Sequence, residues 1–309
     1  MKTLILYHDD CLRHDPGPRH PERATRVDAV LRGVAGIEGT EVLPAPLATA
    51  EQLRRAHSAD YLDHLAGAEP GSGAEPGRVA LDPDTWLSPG STDAALRGSG
   101  AACFAVDQVW AGKARNAFCA TRPPGHHAES ARAMGFCLFN HVAVAARHAQ
   151  AVLGAKRVAI LDFDVHHGNG TQAIFETSPD VLYASSHQAP LYPGTGDAEE
   201  TGCGNLFNMV LPPGSDSRAF RDAWLQHGLP AVDRFAPDLV LVSAGFDGHR
   251  QDPLAQLELD ESDYAWITAE IRRLAEAHCG GRLVSVLEGG YDLDALAASA
   301  AAHVTALAR

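Results

Sequence analysis

Apolar and polar positions along the 309-residue chain fall into two recurring patterns. Short apolar runs rich in β-branched residues or alanine read as buried strands, and they alternate with longer stretches whose apolar residues recur at helical spacing. Met1 to His8 predicts a first strand. A helix carrying Val27, Val30 and Leu31 follows, and Pro21 is placed to open it. Leu53 to Leu65 predicts one or two short helices. Ala68 to Gly77, which repeats Ala-Glu-Pro-Gly twice, predicts a loop. Ser91-Thr92-Asp93 reads as the cap of a helix running through Trp110, and Ala117 to Thr121 as another buried strand. Arg122-Pro123-Pro124-Gly125-His126-His127 reads as a rigid turn presenting a histidine pair. An apolar loop or strand end at Met134 to Asn140 then precedes an alanine-rich helix, Val142 to Leu153. Beyond it the pattern predicts strands at 157–162, 181–186, 206–211, 238–243 and 282–287. Helices are predicted at 171–176, 218–235, 261–279 and 293–308. Such alternation implies an α/β protein with a largely parallel central sheet and helices on both faces. With no break in composition, residues 1–309 read as one domain.

Three of the predicted strands end in abrupt polarity: Asp162-Phe-Asp164-Val-His166, Ser243-Ala-Gly-Phe-Asp247 and Glu288-Gly-Gly-Tyr291-Asp292. Open α/β sheets bind ligands beyond the carboxyl ends of their strands. If the extended backbone continued, Asp162, Asp164 and His166 would share one face. Carboxylates and an imidazole converging at a buried strand end are costly unless something pairs with them, and a divalent metal does so directly. The residues point to a metal held by Asp164, His166 and Asp247, three ligands that leave a position open, as in catalytic zinc sites. His126 and His127 suit proton transfer and Tyr291 suits donation to a developing oxyanion. Each signature alone also reads as structure: a helix-capping aspartate, a histidine pair in a loop, a turn with a packed aromatic. Their joint occurrence at successive strand ends is what structure alone does not explain.

Composition narrows the classes. A net charge of −14 argues against nucleic acid and anionic membranes as partners and is compatible with a cationic substrate or with solubility alone. The cysteines (Cys11, Cys103, Cys119, Cys137, Cys203 and Cys279) form no CxxC pair, which argues against a disulfide framework or a cysteine zinc site. The apolar run at the N-terminus is too short for a signal peptide, and no run reaches the length of a membrane span. A cytoplasmic location is the expectation.

Taken together, the motifs closely resemble those of the histone deacetylase family, in its bacterial branch and nearer to class II, which includes the histone deacetylase-like amidohydrolases and acetylpolyamine amidohydrolases. The likeness rests on Arg122-Pro-Pro-Gly-His-His-Ala128, Gly135-Phe-Cys-Leu-Phe-Asn140, Asp162-Phe-Asp-Val-His-His-Gly-Asn-Gly170, Tyr192-Pro-Gly-Thr-Gly196, Ser243-Ala-Gly-Phe-Asp247 and Glu288-Gly-Gly-Tyr291. It implies an arginase–deacetylase fold and zinc-dependent hydrolysis of an N-acyl amide, with one Zn2+ per chain. Asp164, His166 and Asp247 match the family's metal ligands, His126 and His127 its general acid/base pair, and Tyr291 its oxyanion-stabilising tyrosine. Asp162 matches the carboxylate that orients His126. Asn169 stands beside His127 where class I members carry aspartate. Gly135, Phe136 and Tyr192 match residues of the acyl-lysine tunnel, the tyrosine replacing a more usual phenylalanine. Ser185 and Phe175 match positions near structural monovalent cations, K+ or Na+.

The substrate expected from this resemblance is an acyl-amine, borne by a small molecule or a peptide; a homo-oligomer is left open. Leu254 occupies a position where polyamine-selective members of one branch carry glutamate. An apolar residue there offers no compensation for desolvating a second ammonium, which favours acyl-lysine over an acetylpolyamine. An acetylpolyamine or other small amide is the alternative substrate. A two-manganese ureohydrolase would need a further carboxylate after His166, where the chain reads His167-Gly168-Asn169. A silent acyl-lysine binder would be expected to have lost Tyr291 or a histidine, and all are present. Zinc and ferrous iron both suit these ligands.

Overall fold

A computed structural model describes residues 1–71 and 77–309; part of the loop expected between Ala68 and Gly77 lies outside them. Its centre is an eight-stranded sheet. Five strands at its heart are short buried runs: β1 (Thr3–Tyr7), β5 (Asn116–Cys119), β6 (Val158–Asp162), β9 (Leu239–Ala244) and β10 (Leu283–Leu287). β7 (Val181–Gln188) is equally buried, whereas β2 (Thr40–Pro44) and β8 (Leu206–Leu211) form the two edges. The order is β2-β1-β5-β10-β9-β6-β7-β8, and every pairing is parallel. A separate antiparallel hairpin joins β3 (Val79–Asp82) to β4 (Thr85–Leu87).

Period-2 alternation within the buried strands feeds two cores. Leu4, Leu6, Ala117, Cys119, Val158, Ile160, Leu239, Leu241, Val284 and Val286 face one side; Ile5, Phe118, Ala159, Leu161, Val240, Val242, Leu283 and Leu287 face the other. The first core is covered by α2 (Ala50–Arg54), α3 (Ala59–Ala68), α4 (Ser91–Trp110) and α5 (His141–His148). α6 (Asn169–Phe175) follows β6. The second core is covered by α1 (Thr25–Val34), α7 (Ser217–Ala223), α8 (Leu229–Phe235), α9 (Glu261–Cys279) and α10 (Leu293–Ala308). Among the described residues no helix is long and apolar enough to cross a membrane. All six cysteines are free, and only Cys203 is exposed.

Several expectations need correction. α1 begins at Thr25, not at Pro21, because Glu22 turns inward to meet two arginines before the helix starts. The N-cap of α4 is Gly90 in the left-handed region (φ 89°); the Ser91 hydroxyl instead accepts from the Ser88 amide. The stretch expected as one helix at 218–235 is α7 and α8 joined by a wider π-type turn, Trp224–Gly228. The edge strand β2 and the β3–β4 hairpin were not anticipated at all.

Because the sheet is parallel, the carboxyl ends of β5, β6, β9 and β10 open onto one edge, and the polar signatures that follow them meet there.

Candidate active site

The backbone leaves extended geometry right after Asp162, and this bend separates two carboxylates that the sequence pattern places on one face. Asp162 stays at the strand end and turns to His126, whose Nδ1 donates to it at 2.9 Å. Tyr183 donates its hydroxyl to the same carboxylate oxygen at 3.0 Å. Asp164, beyond the bend, meets His166 and Asp247. These three buried residues place one ligand atom each within 4.8 Å of one another. His166 Nδ1 lies 3.0 Å from Asp164 Oδ1 and 3.1 Å from Asp247 Oδ2. Gly245 and Gly289 leave the carboxylates room. A Cβ at the first would collide with Asp164, and one at the second with Asp247.

The cluster's electrostatics follow from two buried acids around one imidazole. Burial opposes ionisation of Asp164, but the imidazoles of His126 and His166 outweigh it and hold the carboxyl well below its usual range. Burial, reinforced by the charge of Asp164, pushes Asp247 up. His166 is raised to about 10, since the two carboxylates overcome the effect of burial. For the side chains by themselves, a protonated imidazole supplies the positive charge the acids demand. A divalent cation satisfies the same demand, and two carboxylates with one imidazole form a donor set that fits it.

The histidine pair splits in the opposite sense. The rings of His126 and His127 lie 4.0 Å apart. His126 is lifted to about 10 because Asp162 and Asp164 overcome its burial. His127 is pushed well below the ordinary histidine value by burial and by the positive charge on its two histidine neighbours. Its Nδ1 lies 2.9 Å from Asn169 Oδ1. The Asn169 amide nitrogen donates to Glu129 at 3.1 Å, so its oxygen is left to accept. His127 therefore carries its proton on Nδ1, and Nε2 is left with a lone pair.

A cavity of about 230 Å³ reaches this cluster, lined by Asp84, His127, Gly135, Phe136, His166, Leu191, Tyr192, Leu254 and Tyr291. Its walls are mostly apolar, and its polar groups are those of His127, His166, Tyr192, Tyr291 and Asp84. Tyr291 stands after Gly290, whose φ of 118° only glycine adopts readily. Burial drives the Tyr291 phenol far above its normal pKa, so it remains a donor. Tyr192 packs edge-on against His127 with ring centres 5.1 Å apart. Ser185 and Phe175 are buried outside this cavity: Ser185 bonds His187 at 2.9 Å, and the Phe175 carbonyl accepts from Asn205 at 2.8 Å.

Several supporting residues give no sign in the sequence of what they hold. Glu288 accepts the amides of Gly125 (2.6 Å) and His126 (3.1 Å), so β10 holds the histidine turn. Asp252 accepts the amides of Tyr291 (2.7 Å) and Leu254 (3.0 Å). Behind Tyr291, Glu22 receives two bonds of 2.6 Å from Arg122 and one of 3.2 Å from Arg26. Arg26 also donates to the carbonyls of Gly290 (2.6 Å) and Glu288 (2.5 Å), with its guanidinium 4.9 Å from the Tyr291 ring centre. Glu288 and Arg122 stand within recognisable motifs, but nothing local tells what they bond.

Comparison with known proteins places this geometry. A family model described as a histone deacetylase domain matches residues 18–307. The chain is 39% identical over 316 residues to a histone deacetylase-like amidohydrolase of Pseudomonas aeruginosa, covering 94% of this chain and 82% of that protein. It is 37% identical over 303 residues to a probable deacetylase of Archaeoglobus fulgidus, covering 95% and 82%. The crystal structure of an HDA15 HD domain superposes with a TM-score of 0.89 at 36% identity, covering 99% of this chain and 90% of that one. The parallel eight-stranded sheet is that of the arginase–deacetylase fold, and with the match running almost end to end, the chain belongs to the histone deacetylase family and is a hydrolase of the deacetylase type.

Proposed function

We propose that the protein is a zinc-dependent deacetylase that removes the acyl group from acyl-lysine. The observation that carries this reading is the convergence of Asp164, His166 and Asp247 with His127 and Tyr291 around the polar groups of one narrow apolar cavity. Asp164, His166 and Asp247 would hold the ion. When bound, a divalent metal supplies Lewis-acid charge that acidifies water and polarises the amide carbonyl.

The chain's own groups divide the remaining work. His127, neutral and with Nε2 unencumbered, takes the proton of the attacking water, and Asn169 keeps its tautomer fixed. His126, held protonated against Asp162, keeps positive charge where the oxyanion develops and returns a proton to the departing amine. Tyr291 donates its hydroxyl to that oxyanion. Phe136, Tyr192, Gly135 and Leu254 enclose the aliphatic stem, which excludes water from the reacting amide.

An apolar wall that includes Leu254 suits a lysine stem, whereas the second ammonium of an acetylpolyamine would have Asp84 as the one carboxylate among the cavity's lining residues. The test is kcat/KM, with zinc restored, on an acetyl-lysine peptide and on N-acetylated putrescine and spermidine. The peptide is expected to be preferred. A clear polyamine preference would reassign the substrate, and full activity in the presence of chelators with no metal bound would remove the mechanism.

A further inference from the structure

We propose that the segment 17–23 beside the cavity mouth recognises a carboxylate, with Arg19 and Arg23 engaging an acidic residue that flanks the acylated lysine of a peptide substrate. This deepens the acyl-lysine reading and rests on it. The segment is fastened to the cavity wall. The His20 ring packs edge-on against Phe136 with centres 4.6 Å apart, and His20 Nε2 lies 3.2 Å from the Asp84 carbonyl. Phe136 and Asp84 both line the cavity. A groove of about 380 Å³ runs along one flank, lined by Gly17 to Pro21, Arg23, Pro253 and Tyr291. A second of about 450 Å³, lined by Pro16 to Pro21, Arg78 and Trp86, runs along another. Among the described residues no acidic side chain lines either groove.

Two features single out the arginines. Both are exposed, and neither has an ion-pair partner among the described residues, whereas Arg78 nearby is engaged by Asp15. In a chain of net charge −14, uncompensated positive charge at this mouth is a local exception. Among the described residues the acids around it bond to other groups and pair with neither arginine. The Asp84 carboxylate accepts from Thr85 (2.8 Å), Asp252 binds two backbone amides, and Glu22 is buried against Arg122. Arg19 also holds a φ of 70°, unusual for a side-chain-bearing residue, within a stretch containing Pro16, Pro18 and Pro21. Stiff backbone of this kind presents its side chains with little ordering cost on binding.

A guanidinium matches a carboxylate bidentately. With the acyl-lysine stem in the cavity and the peptide extended at about 3.3 Å per residue, positions one to roughly three residues away lie over the grooves. A polyamine would instead bring its second ammonium toward two positive charges. Exposed ion pairs are individually weak, so two of them set a preference of roughly twofold to thirtyfold, carried by KM and weakened by salt.

The test uses the zinc-loaded enzyme and three acetyl-lysine peptides identical except for acidic, amide or basic flanking residues, together with free Nε-acetyl-lysine and its carboxamide. At low salt the acidic peptide is expected to exceed the basic one by roughly twofold to thirtyfold in kcat/KM. Arg19→Ala/Arg23→Ala should level the three peptides while sparing the rate on the amide-flanked one, and Arg19→Glu/Arg23→Glu should invert the order. Equal rates on all three peptides in the unmodified enzyme, or an acidic preference that survives the double alanine variant, would overturn the assignment. So would a preference confined to free acetyl-lysine over its carboxamide, which would make the ligand an α-carboxylate. No turnover of any acetyl-lysine compound would instead overturn the reading beneath it, and the amide-flanked peptide separates the two failures.

Discussion

Two clusters of buried charge lie on either side of Tyr291, and they are resolved in opposite ways. Behind the tyrosine, Glu22, Arg26 and Arg122 are fully buried, and each polar group finds a partner within the cluster or on a neighbouring carbonyl. Burial opposes the ionisation of Glu22, but the Arg122 guanidinium outweighs it and holds the carboxyl at about 2. In front, Asp164 and Asp247 share a single imidazole, so one carboxyl is driven down and the other up. The first cluster is closed and carries structure; in the second a single imidazole must answer two carboxylates, a donor set that a divalent cation from solution fits. Burial alone does not mark a functional site. An imbalance of charge within the burial does.

The contrast can be broken in several ways. The largest effect is expected from Asp247→Asn. Metal content should fall from about one ion per chain to near none, with turnover at background and the metal-free protein no less stable than before; metal analysis and thermal melting check both. Arg122→Met in the closed cluster should do the reverse, lowering stability by about 3–5 kcal/mol because buried Glu22 loses its two shortest bonds and keeps only Arg26 at 3.2 Å. Denaturant unfolding reads this, and adding Glu22→Gln should restore part of the loss. Tyr291→Phe, between the two, should keep metal and fold but lose turnover on the order of a hundredfold or more.

Acid separates the clusters further. The folded-state pKa of Glu22 lies below its unfolded value of 4.5, so its stabilisation is complete above 4.5 and declines as pH falls toward about 2. The stability gap between the unmodified protein and Glu22→Gln should therefore be constant near neutrality and narrow below pH 4.5, by roughly 1–3 kcal/mol, in melts taken across that range. Least in size, Leu254→Glu should shift the ratio of rates toward acetylated polyamines by several-fold, and an unchanged ratio would show that this wall does not select.

The same contrast explains what the sequence made legible. β1, β5, β6, β9 and β10 were readable because strands buried on both faces are continuous apolar runs. β2 was not: Thr40-Glu41-Val42-Leu43-Pro44 is an exposed edge with no such run, held only by its pairing with β1. In the front cluster the residue types themselves are the signal, since His-His, Asp-x-His and Gly-Gly-Tyr are rarely gathered at strand ends for packing alone. In the rear cluster the partners Glu22 and Arg122 are separated by 100 residues, and Glu22 reads locally as the start of a helix. Asp162 shows the limit within the front cluster. Alternation put it beside Asp164, and one bend in the backbone sent it to His126 instead.

Asp252 binds the amide of Tyr291 with one carboxylate oxygen and that of Leu254 with the other. The wall proposed to sort substrates and the hydroxyl proposed to drive turnover thus hang from one anchor. Redesigning the first without the second is correspondingly constrained: a bulkier side chain at 254 that shifts its own backbone also pulls on the tyrosine. New specificity at this position should therefore arrive with a slower enzyme, recoverable by changes that relax the 252–254 turn rather than by further changes inside the cavity.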